Sequence, residues 1–75
     1  MYTIETIYEE AVHIRNAETP EQVREEVESL ILNVGCDLGE GTLEDALWWF
    51  TDEQPCEYAA QAIRYALERI ECLAS

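Results

Sequence analysis

The sequence predicts an all-α fold, a compact bundle of about four helices over roughly residues 3–16, 20–34, 43–53 and 55–73 of a single 75-residue domain. Three observations predict it. Apolar residues recur at the i, i+3, i+4 spacing of a helix face instead of alternating as in a strand. Two threonines, Thr19 and Thr42, stand where helices should begin, each able to cap free backbone N–H groups. Gly35, Gly39, Gly41 and Pro55 fall between the periodic stretches, where helices stop. So short a chain needs nearly all its apolar residues for a core, and a hydrophobic share of 48% is enough to fold one despite the charge.

The first helix, residues 3–16, places Ile4, Ile7, Tyr8, Ala11 and Val12 on one side. Glu5, Glu9 and His13 follow at four-residue steps on the solvent side. The second opens on Thr19-Pro20-Glu21-Gln22, a Thr cap with Pro at the first helical position and Gln three residues after the cap. Val23, Val27, Leu30, Ile31 and Val34 form its apolar stripe, and Gly35 is its stop. Cys36 to Gly41 reads as a loop. Thr42 caps the third helix, with Glu44 and Asp45 in a first turn whose dipole favours acids, and Leu43, Ala46, Leu47 and Phe50 face inward. The fourth carries Ala59, Ala62, Ile63, Ala66, Leu67, Ile70 and Leu73 along one line, the alanines permitting close helix approach.

Charge separates the function classes. Seventeen acids against four arginines and no lysine give a net charge of −13, which disfavours direct binding of DNA, RNA or an anionic membrane, since each needs a basic footprint. From Glu25 to Ile63 there are ten carboxylates and not one basic residue. A solvated, solubilising surface is the ordinary explanation of such a run, but solubility asks for a net charge magnitude of only ~2 to 8. The run therefore points to a strongly basic partner. On a helical wheel Glu21, Glu25, Glu28 and Leu32 fall in one arc opposite the core stripe, the carboxylates rising in steps of roughly 4.5 to 6 Å from the ~1.5 Å rise per residue. DNA advances ~3.4 Å per phosphate on each strand, a spacing of the same scale. Asp37 and Glu40 in the loop, and Glu44, Asp45 and Asp52 around Trp48, complete the predicted partner-binding face. Trp49 reads as nearer the core and Trp48 as an outward aromatic anchor amid carboxylates; the alternative is that another helix wraps over both rings.

Other chemistries find little support. Counted from Asp37, the sixth position is Thr42 and the twelfth Trp48, where a calcium loop needs Gly and Glu, so no metal site or cofactor is expected. His13, the single histidine, has no sequence-local nucleophile, and no phosphate loop or zinc spacing occurs; a non-enzyme is expected. Cys36, Cys56 and Cys72 are odd in number, without a C-x-x-C pair or a signal-like apolar run before them. Reduced thiols in the cytoplasm fit best, with Cys36 and Cys56 as small buried residues, although spacing leaves open a disulfide between any two of the three.

Small size, helical character, extreme acidity and the lack of catalytic motifs together resemble the phage-encoded DNA-mimic inhibitors, in particular the small acidic anti-CRISPR proteins. The resemblance covers the whole chain and is compositional, with no shared motif to carry residue roles across. It implies an inhibitor acting in the cytoplasm of a bacterial host, which covers the DNA-reading surface of a CRISPR effector, a multi-subunit type I surveillance complex being the expected target. The alternative is an acidic protein–protein adaptor or antitoxin-like regulatory protein that does not compete with nucleic acid.

Overall fold

The computed structural model describes residues 11–74. Helix α1 is described over residues 11–16; the rest of the predicted first helix, with Ile4, Glu5, Ile7, Tyr8 and Glu9, lies outside the described residues. Helix α2 runs Pro20–Leu32, α3 Leu43–Trp48 and α4 Glu57–Ala74, and a π-helical turn, Trp49–Glu53, continues α3. Among the described residues there is no strand. The fold is an all-α small bundle.

Helix α2 begins as its sequence dictates. The Thr19 hydroxyl accepts from the Gln22 N–H, and the Gln22 side chain accepts in turn from the Glu18 N–H, so a free donor of the first turn and the N–H just before the cap are both used. Its end comes at Leu32, two residues before the predicted Val34. Cys36 N–H donates to Ile31 C=O and Gly35 N–H to Leu32 C=O, the paired bonds of a Schellman stop. They turn the chain through Gly35 at φ +79°, a region where a Cβ is strained.

The third predicted helix, 43–53, is correct in extent but not uniform. Thr42 caps it through the Asp45 N–H at 3.1 Å. Past Trp48 the backbone widens, so that Gln54 N–H reaches back five residues to Trp49 C=O and Cys56 N–H six to Phe50 C=O. The Thr51 hydroxyl donates to Leu47 C=O at 2.6 Å, a side-chain bond that competes with the regular ladder and bends helices. Helix α4 starts at Glu57, two residues later than predicted, because the Cys56 carbonyl accepts its first bond, from Ala60 N–H.

Helix α4 is the centre of the packing, with α2, α3 and the π turn all lying against it. Ile14, Val23, Val27, Ile31 and Ile63 are the large side chains fully removed from water, and Ala59, Ala62 and Ala66 let the neighbouring helices close in. Arg69 ties the far end of α4 to the segment after α1, its Nε donating to Ala17 C=O. Some predicted positions are corrected. Val12, expected on the apolar face of the first helix, is 40% exposed, while Ile14 is the residue buried there. The core of α1 steps from Ala11 to Ile14 and on to Ala17, an i, i+3 line that passes Val12 by. Val34 and Leu47 are only partly buried.

Candidate protein-binding face

The acids of the predicted face stand in three places. Glu21 and Glu25 on α2 are exposed and Glu28 is half-buried, so Glu28 sits off the outer arc the helical wheel assigns it. Leu32 closes the row with 54% of its surface in water. Asp37 and Glu40 are exposed in the loop after α2, and Glu44, Asp45 and Asp52 are exposed along α3 and the π turn.

The loop is held, not merely tethered. Asp37 folds its carboxylate back to accept from the Gly39 N–H, with Gly39 at φ +76°. Arg24 donates from Nη2 to the Gly39 carbonyl at 3.0 Å, and Leu38 plugs into the core. Sequence reasoning missed both residues: a base one position before the acid run looks like its boundary, and a lone leucine between glycines looks like loop. Folding instead brings Arg24 into the acidic face as the strut that fastens its loop to α2.

Where α2, α3 and α4 meet, a groove of about 350 Å³ is lined by Glu21 and Arg24 from α2, Leu43 and Glu44 from α3, and Leu67 and Ile70 from α4. Its lining is mostly aliphatic, with two carboxylates from different helices and the guanidinium of Arg24, which is bonded through Nη2 to the Gly39 carbonyl. The carboxylates suit a long cationic side chain, whose stem seeks apolar cover while its head stays polar. Glu21 and Glu44, separate in sequence, are thus brought to one feature.

Both tryptophans face solvent. Trp48 is 53% and Trp49 43% exposed, whereas Phe50 beside them is 5% exposed. The expectation that Trp49 lies nearer the core is met only as a small difference, and no helix among the described residues covers either ring. Trp48 is the last residue of α3 and lies off its buried line of Leu43 and Ala46, while in the π turn that follows Phe50 is the buried residue and Trp49 stays outside. Around the rings Glu44, Asp45, Asp52 and Glu53 are all exposed. Asp52 and Glu53 lie at the negative end of this helical segment, where no basic residue offsets the dipole, a placement the dipole does not favour.

Cys36 and Cys56 are partly rather than fully buried, and Cys72 is exposed. Burial, reinforced by a bond to Cys56, pushes the Cys36 thiol above its ordinary range. Among the described residues no group of three or more His, Cys, Asp or Glu side chains is arranged to hold a metal ion, and no helix is long and apolar enough to cross a membrane.

Comparison with protein-family models, with characterised proteins and with solved structures finds no match to this chain.

Proposed function

We propose that this protein is an inhibitor that docks its acidic face onto the nucleic-acid site of a basic protein or complex and blocks target DNA binding, with carboxylates standing in for phosphates. The observation that carries the reading is the placement of two solvent-exposed tryptophans within a run of exposed acids that contains no base. Clustered exposed apolar side chains mark interaction sites, and large aromatic rings are the usual anchors of an interface. The acids supply fast, salt-sensitive attraction from a distance. Trp48, Trp49 and Leu32 supply apolar contact after docking, and the groove between Glu21 and Glu44 accepts a lysine or arginine of the partner.

A type I CRISPR surveillance complex is the first target to test, the protein then acting as an anti-CRISPR. In a competition assay, adding this protein should reduce binding of labelled target DNA by the complex in proportion to occupancy, with the inhibition weakening as salt rises. Binding to the complex that leaves DNA binding unchanged at saturation would assign the protein to the adaptor or antitoxin-like class instead.

A further inference from the structure

Cys36 and Cys56 are 20 residues apart in the chain, and their sulfurs lie 3.9 Å apart, with the Cys36 thiol donating to Cys56. Neither approach is accidental to the fold. The Cys36 N–H closes the Schellman stop of α2 through Ile31 C=O, and the Cys56 N–H closes the π turn through Phe50 C=O while its carbonyl starts α4. Both backbones are therefore fixed by helix-end hydrogen bonds, and the side chains they carry meet. A disulfide needs sulfurs at about 2.05 Å, so closure asks the two sulfurs to approach by roughly 2 Å. Both thiols are partly accessible, which lets a small oxidant reach them.

We propose that Cys36 and Cys56 form a thiol–disulfide exchange site that takes a low-molecular-weight disulfide as oxidant and closes a covalent loop around the segment carrying Trp48, Trp49 and the acids of α3. One cysteine loses its proton to solvent and attacks a sulfur of the small disulfide, whose S–S bond breaks and releases one small thiol after protonation. The second cysteine, deprotonated in turn, attacks the protein sulfur of the mixed disulfide and releases the other small thiol. Two electrons pass from the protein pair to the small disulfide, and the chain loses two hydrogens. Burial and the contact with Cys56 raise the Cys36 thiol, which slows attack by that sulfur because the thiolate is the nucleophile.

The test uses the full chain carrying Cys72→Ser, which removes the exposed third thiol, incubated folded with oxidised glutathione and then unfolded in alkylating reagent. The expected product has lost two hydrogens, takes up no alkyl group and yields a Cys36–Cys56 cross-linked peptide. Its thermal midpoint should rise by roughly 10 °C or more, as closing a loop of this length restricts the unfolded chain. The further variant Cys36→Ser/Cys72→Ser should stop at a stable mixed disulfide on Cys56. Stable glutathione adducts on both cysteines of the Cys72→Ser chain, two alkylatable thiols after the incubation, or a cross-link that lowers the midpoint would each overturn the proposal.

Discussion

Trp48 and Phe50 are two positions apart and play opposite parts. Phe50 is packed into the core at 5% exposure and Trp48 stands half in water. Phe50→Ala should therefore cost about 3–5 kcal/mol of folding stability, the range for removing a buried aromatic ring, measured by urea unfolding. Trp48→Ala should change the same measurement by less than about 1 kcal/mol yet weaken partner binding by about 30-fold or more, as loss of an interface anchor does. Equal destabilisation by the two variants would place Trp48 in the core. At this scale the sequence was readable where a residue lies on a regular stripe, as Val23, Val27, Ile31 and Ile63 do. It was not readable at Leu38, because its burial depends on a loop drawn in by Arg24 across 15 residues, a contact that no local pattern encodes.

Helix starts were legible because Thr19 and Thr42 satisfy N–H groups within three residues of themselves. The stop of α2 was legible as Gly35 for the same local reason, the tightening of its last turn accounting for the two-residue difference. The π turn was not legible: its inward residue, Phe50, also fits the period of an α-helix, and the widening shows only in which carbonyls accept. Thr51 gives the one chemical handle on it. Thr51→Val keeps the shape of the side chain and removes the hydroxyl that donates to Leu47. It should lower stability by about 1 kcal/mol, read from the chemical-denaturation midpoint, if that bond supports the turn. An unchanged midpoint would show that the turn is held by backbone bonds alone.

The molecule measures 31 × 25 × 15 Å across its Cα atoms, a body flattened along one axis. Leu32, Trp48 and Trp49 remain exposed on it although the chain is rich in apolar residues. All-α class and helix order were readable from periodicity; the groove that joins Glu21 to Glu44 was not, since it depends on how three helices meet. The central claim is that one face, and not acidity in general, is the working surface. Two variants with the same change in net charge test it most directly: Glu44→Lys/Asp52→Lys on the proposed face and Glu68→Lys/Glu71→Lys on α4. Their affinities should be measured against the complex whose DNA binding the native protein is proposed to block, with circular dichroism confirming that both fold. The first pair should lose binding by about 30-fold or more, while the second stays within a few-fold of the native protein. Equal losses from both pairs would contradict the account, leaving overall charge as the source of binding.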